Sequence, residues 1–258
     1  MKEIDAVFGE TTKLLLGVEL AKIDDYTEWL GRRVPLPSQA KSALSGKEVW
    51  IPPSFIYLRT SFNKSKIISM EEMERVTTSP FTAKDVTAAS FSQLSSRLIK
   101  PVAFYVGNFR YQTFENVEKV SGGGGGRNLY FSEDVYHDVK NLAYCNYTLF
   151  SQNVFGSHNV TYSQFCIHAY NSTSVSRCFE VDGCSSSRDL LFCHNCENVS
   201  DSMFCFNAKN LKNAIGNIPV PQAKYREIKA LVLADIRNQL LQTRKLEYDI
   251  FDIGDRHG

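Results

Sequence analysis

The 258-residue chain has no apolar run near the roughly 18–20 residues that a membrane-spanning helix needs, so no membrane span is expected. It also lacks an excess of either charge: 29 Lys and Arg stand against 28 Asp and Glu, for a formal net charge of +1. That balance argues against a nucleic-acid coat or a basic membrane-surface binder, both of which need positive excess. No apolar h-region follows Met1-Lys2-Glu3-Ile4-Asp5, so no signal peptide is expected and the setting reads as cytoplasmic. No G-x-S-x-G occurs, and the five His (137, 158, 168, 194 and 257) are scattered, so nothing points to a nucleophilic triad. No cysteine occurs before Cys145 or after Cys205.

Asparagine and cysteine are concentrated in one block. Twelve of the 16 Asn and all seven Cys fall between 127 and 217, where only about 15% of residues are charged. Such a compositional shift marks a domain. Just before it stands Ser121 and then five glycines, Gly122 to Gly126. A Walker loop would end in Gly-Lys-Ser/Thr, but Arg127-Asn128-Leu129 follows, so the run reads as a glycine hinge or a side-chain-free crossing over 121–126.

Within the block a phrase recurs: Asn or a small polar residue, then Val or Leu, then an aromatic beside Cys, then Asn or Ser. Asn141-Leu142-Ala143-Tyr144-Cys145-Asn146 and Asp189-Leu190-Leu191-Phe192-Cys193-His194-Asn195 are two copies. Anchoring on Phe131, Tyr144, Tyr162, Phe179, Phe192, Phe204 and Ile215 gives an irregular spacing of 11 to 18 residues. Short strands joined by left-handed Asn and Ser, with like residues stacked on like, predict a parallel β-helix with Asn ladders and rows of Cys and aromatics inside. An antiparallel sandwich is the alternative, disfavoured by the lack of Gly/Pro hairpin signals. The fold class is therefore mainly β: a short right-handed parallel β-helix (solenoid) over 127–218, an N-terminal α+β module over 1–120, and a C-terminal capping helix and tail over 219–258.

Phe192-Cys193-His194-Asn195-Cys196-Glu197-Asn198-Val199 and Asn207 to Asn217 resemble an Asn/Cys-rich repeat family found in uncharacterised proteins of large phages and little-studied microbial lineages. In that family the last coil is followed by a short Lys/Tyr-containing helix, similar to Pro221-Gln222-Ala223-Lys224-Tyr225-Arg226-Glu227. The likeness spans about 127–235, has fewer Cys per coil here, and implies a repeat fold without an assigned activity.

In the flanks, Asp25-Tyr26-Thr27-Glu28 has capping-box spacing for a short helix, and Lys41 to Ile51 reads as a hairpin turning at Ser45-Gly46. Ser69-Met70-Glu71-Glu72 is a second capping box. Thr82 opens a helix carrying Val86, Ala89, Phe91, Leu94 and Leu98, stopped by Pro101, and 103–107 reads as a buried strand. After Pro219 and Pro221, a helix over about 222–246 carries the stripe Tyr225, Ile228, Val232, Ile236 and Leu240, suited to cap the last coil or dock on a partner.

Three readings of function follow. The leading one is a non-enzymatic structural or assembly protein, self-associating or docking with other protein subunits, with a virion as the assembly that the resemblance implies. It has no catalytic, cofactor or metal residues, and no nucleic-acid partner. The second is a carbohydrate-active β-helix enzyme using Glu180, Asp182 and Asp189, because Glu180 and Asp182 would share one strand face with Asp189 one coil away. The third is a metal-binding regulator through Cys193 and Cys196, a C-x-x-C half-site, set against stacked interior thiols.

Overall fold

In a computed structural model, residues 2–53, 63–76, 81–87 and 89–253 are described. The chain is mainly β, a solenoid of about nine turns with an N-terminal α+β region and a C-terminal helix. Parallel pairing steps through Arg127, Lys140, Gln152, Gln164, Ser176, Arg188 and Ser200: one thirteen-residue coil, then twelve-residue coils throughout. The irregular spacing expected from the aromatics is thus replaced by a regular twelve.

The regularity comes from a period of three. From Tyr144 to Asn213 every third residue has a left-handed φ near +50°, with Gly156 and Gly183 in the same series. The residue after each of these points inward: Cys145, Thr148, Ser151, Val154, Ser157, Val160 and onward to Ala214, almost all fully buried. The third residue of each step points outward. Each coil therefore has four three-residue steps and four inward side chains. That interior is narrow, and between Tyr144 and Ala214 no ring takes an inward position, so the expected interior aromatics are absent from these coils. Inward positions hold Cys, Ser, Val, Ala, Thr and Leu.

Serine is tolerated inside because each hydroxyl serves two coils. Ser157 Oγ donates to the Phe155 carbonyl at 2.9 Å and accepts from Ala169 N–H at 3.0 Å. Ser172 and Ser202 repeat the arrangement with Cys184 N–H and Ala214 N–H. A buried hydroxyl paired on both sides avoids the cost of burying a polar group alone. At left-handed corners, Asn116, Asn128, Asn141 and Asn153 form the expected ladder, each amide donating to the next carbonyl oxygen at 2.7–2.9 Å.

The glycines are not a hinge. Gly122–Gly124 form a strand paired with Phe109–Arg110 on one side and with Val135 and Tyr136 on the other. A Cβ on Gly123 would strike the Val135 carbonyl, and one on Gly126 would come within 2.7 Å of Val139 Cγ2. Only glycine lets the coils approach so closely there. The ladder therefore reaches back to Phe109, inside the expected N-terminal module.

Two helices cover one flank of the solenoid. Helix α1 (Lys2–Leu16) lays Ile4, Phe8, Leu15 and Leu16 on the outward column Ala143, Phe155, Ile167, Phe179, Leu191 and Met203. Phe8 meets Phe155 edge-on at 5.3 Å. A short helix α2 (Thr27–Leu30) follows a 3₁₀ turn and sets Trp29 against His168 and Phe179. The α+β region also contains the expected hairpin, strands β1 (Ser38–Lys41) and β2 (Glu48–Ile51), and a parallel pair β3 (Ile67–Ser69) and β4 (Tyr105–Gly107). The strand expected to be buried over 103–107 is largely half-exposed.

Candidate protein interface

The C-terminal helix runs over Gln222–Thr243, three residues shorter than expected, and ends at left-handed Arg244. Its stripe is spent within the chain. Tyr225, Ile236 and Leu240 are buried, and Ile228 and Val232 are half-buried against the same core as α1 and the Phe192–Phe204 column. The helix lies on the flank, with Arg237 Nη1 donating to the Leu16 carbonyl. The last coil is instead edged by a hairpin in which Ala214–Ile215 pairs with Ile218–Pro219. Beyond the helix, residues 246–253 form a clasp. Asp249 and Asp252 receive Arg32 and Arg33, and Ile250 N–H donates to Glu180 Oε2 at 3.0 Å. The Arg33 guanidinium hydrogen bond and charge hold the Asp249 carboxyl below its usual range against the opposing effect of burial.

The three candidate carboxylates are each committed to the fold. Glu180 is fully buried, 2.5 Å from His168 Nδ1. Asp182 accepts from Asn171 Nδ2 at 2.8 Å and lies 2.8 Å from His194 Nδ1. Asp189 receives Arg177 through two bonds of 2.7 and 2.6 Å. Glu180 and Asp182 do not share a strand face. Glu180 occupies a left-handed corner, Val181 points inward, and Asp182 points outward as the third residue of the same step, so the period of three replaces the expected alternation. A glycosidase needs an acid that reaches its substrate, and Glu180 lies beneath Ile250 of the clasp.

Cys193 and Cys196 both point inward, again because they are three apart. All seven cysteines are buried free thiols. Burial pushes the Cys145 thiol up to about 12. Among the described residues, no group of three or more His, Cys, Asp or Glu is arranged to hold a metal ion.

The most exposed large apolar side chain among the described residues, Phe91, lies in the N-terminal region. The single helix expected from Thr82 to Leu98 is broken in two: α3 (Ala83–Thr87), then α4 (Phe91–Gln93), which runs on into a wider turn over Leu94–Leu98. Two caps explain the break. Thr82 N–H donates to Asp85 Oδ2 at 2.8 Å, while Ser90 and Gln93 form a reciprocal capping box that starts a new helix. No residue of these turns is buried. Phe91 is 86% exposed, Val86 and Ile99 are exposed, and Leu94 and Leu98 are half-buried. A groove of about 620 Å³ lined by Lys84, Asp85, Ala89, Gln93, Arg97 and Leu98 runs beside them. The apolar spacing of this segment is legible in the sequence, but nothing in the spacing signals that the face is left exposed among the described residues. Among the described residues no helix is long and apolar enough to cross a membrane.

Comparison of the chain with family models, with curated proteins and with solved structures finds no match to any of them.

Proposed function

We propose that this chain is a non-enzymatic structural protein that self-associates through its N-terminal region, with the solenoid as a rigid body carrying that contact. The observation that carries the reading is the uncovered apolar face formed by Val86, Phe91, Leu94, Leu98 and Ile99. A helical stripe of this kind normally buries itself against another element, and among the described residues none covers it. The partner is a second copy. A net charge of +1 gives little repulsion between copies, and the groove beside the face offers both signs, Lys84 and Arg97 with Asp85, to a symmetric contact. A virion is the larger assembly implied by the resemblance of residues 127–235.

Light scattering of the purified protein over a range of concentrations tests the reading. The wild type forms a discrete oligomer, and Phe91→Asp, at an exposed position where folding is unaffected, returns it to monomer. A wild-type chain that stays monomeric at all concentrations, or an oligomer indifferent to Phe91→Asp, overturns it.

A further inference from the structure

The interior thiols are not placed at random along the solenoid. Cys166 and Cys178 are direct partners in the ladder. The bridge Ser185↔Glu197 sets Cys184 beside Cys196, and the bridge His194↔Phe206 sets Cys193 beside Cys205. Six of the seven cysteines thus form three pairs, each twelve residues apart and stacked in one inward column. The seventh, Cys145, has Ser132 and Ser157 as its column neighbours. The paired thiols donate to backbone carbonyls, Cys184 Sγ to that of Asp182 at 3.5 Å and Cys193 Sγ to that of Leu191 at 3.5 Å. Adjacent strands lie about 4.8 Å apart, inside the Cα–Cα range of about 4.4–6.8 Å that a disulfide spans.

We propose that Cys166–Cys178, Cys184–Cys196 and Cys193–Cys205 are latent cross-coil disulfide sites, closed by exchange with a low-molecular-weight disulfide and leaving Cys145 as the one free thiol. In each closure a cysteine thiolate attacks one sulfur of the small disulfide and releases one small thiol. The paired cysteine, as its thiolate, then attacks the protein-side sulfur of the mixed disulfide and releases the second. Two protein thiols and one small disulfide become one protein disulfide and two small thiols. Because all the thiols are buried, exchange proceeds as coils open. It starts at the C-terminal end, where the coils stop and, among the described residues, only the short Ile218–Pro219 strand pairs beyond Ala214–Ile215. The Cys193–Cys205 pair therefore closes first. The consequence is a rod whose coils are pinned to one another after it leaves a reducing compartment.

The full chain, purified reduced, is incubated with oxidised glutathione, quenched with acid at intervals, alkylated after denaturation and mapped by peptide mass spectrometry. The expected result is a fall from seven alkylated cysteines to one, with Cys193 and Cys205 lost first and Cys145 labelled throughout. Cys145→Ser, which matches its column neighbours, forms the same three pairs, and Cys205→Ser forms only the other two. Seven thiols surviving prolonged incubation overturn the proposal. So do a disulfide that includes Cys145, pairing outside the three columns such as Cys193–Cys196, and persistent glutathione adducts in place of protein disulfides. None of these outcomes depends on the oligomeric state.

Discussion

The three-residue step makes adjacent exposed positions respond to glycine with opposite signs. Ser174 is exposed, at φ +54°, and its backbone N–H donates to the Thr161 carbonyl, a bond that glycine keeps. An L-residue pays about 1–2 kcal/mol in the left-handed region, while glycine adds about 0.5–1 kcal/mol of unfolded-state freedom. Ser174→Gly is therefore expected to stabilise the protein by about 0.5–1 kcal/mol. One residue earlier, Thr173 is an outward strand residue whose Oγ1 accepts from Thr161 Oγ1 at 2.8 Å. Thr173→Gly loses about 1 kcal/mol of strand preference and about 0.5–1 kcal/mol of hydrogen bonding. The two variants should differ by about 2–3 kcal/mol. At about 2–4 °C per kcal/mol for a chain of this size, their melting temperatures should separate by about 5–10 °C in a thermal scan followed by far-UV circular dichroism. If Ser174→Gly destabilises the protein as much as Thr173→Gly, the left-handed corner is not what sets the coil.

Three further outcomes are expected. Glu180→Ala leaves His168 and Ile250 N–H without their buried acceptor and should cost about 3–5 kcal/mol, with trypsin cutting sooner at Arg244 and Lys245 as the clasp loosens; unchanged urea stability would refute the burial argument. Burial raises the Glu72 carboxyl, but hydrogen bonds from Ser45, Ser42 and Ser69 outweigh it and hold it at about 2, against an ordinary 4.5. The folded value is the lower one, so its stabilisation is complete above pH 4.5 and disappears as pH falls toward 2. Hydrogen exchange of residues 42–47 and 69–72 should rise across that window in the wild type and show no such dependence in Glu72→Gln. Gly123→Ala should cost about 1–3 kcal/mol or more through its clash with the Val135 carbonyl, whereas Gly46→Ala, at an open turn, costs only the strain of its left-handed φ; equal melting temperatures for the two variants would restore the hinge reading.

Composition carried the solenoid because Asn, Ser and Cys are the residues such coils need: Asn for left-handed corners that ladder, Ser and Cys for a narrow interior. The period was hidden for a physical reason. Stacking and interstrand hydrogen bonds impose the left-handed conformation on Tyr144, Phe150, His168, Arg177 and Glu180 as readily as on Asn, so local preference marks only some corners. The aromatics chosen as anchors belong to different columns. Phe131, Tyr144, Phe192 and Phe204 stand at one corner, Phe179 and Ile215 on the outward column beside it, and Tyr162 at another corner. The small inward residues Leu142, Val154, Cys166, Cys178, Leu190, Ser202 and Ala214 give twelve at every step. Helix α1 is not among the expected elements, although Ile4, Phe8, Thr11, Thr12 and Leu15 stand at helical spacing with Glu3 and Asp5 in its first turn.

The same period decides which chemistry the residues can express. Spacing of two suggests a shared face only under strand alternation, and it was the basis for pairing Glu180 with Asp182. Under a step of three, that spacing separates a corner from an outward position, and spacing of three brings residues to one side. Cys193 and Cys196 then fall inside together, while spacing of twelve places Cys193 on Cys205 and Arg177 on Asp189. Polar and sulfur side chains of the coils are in this way consumed by their own neighbours: Asn by Asn, Arg by Asp, His by Glu, Ser by the backbone of the next coil. The exceptions along its length are few, among them buried Thr148 Oγ1 and His158 Nδ1 without a partner and the solvent-facing stack of His137, Phe150 and Tyr162. Outside the repeat, by contrast, Phe91 stands in solvent, and it is this asymmetry that the proposed self-association rests on.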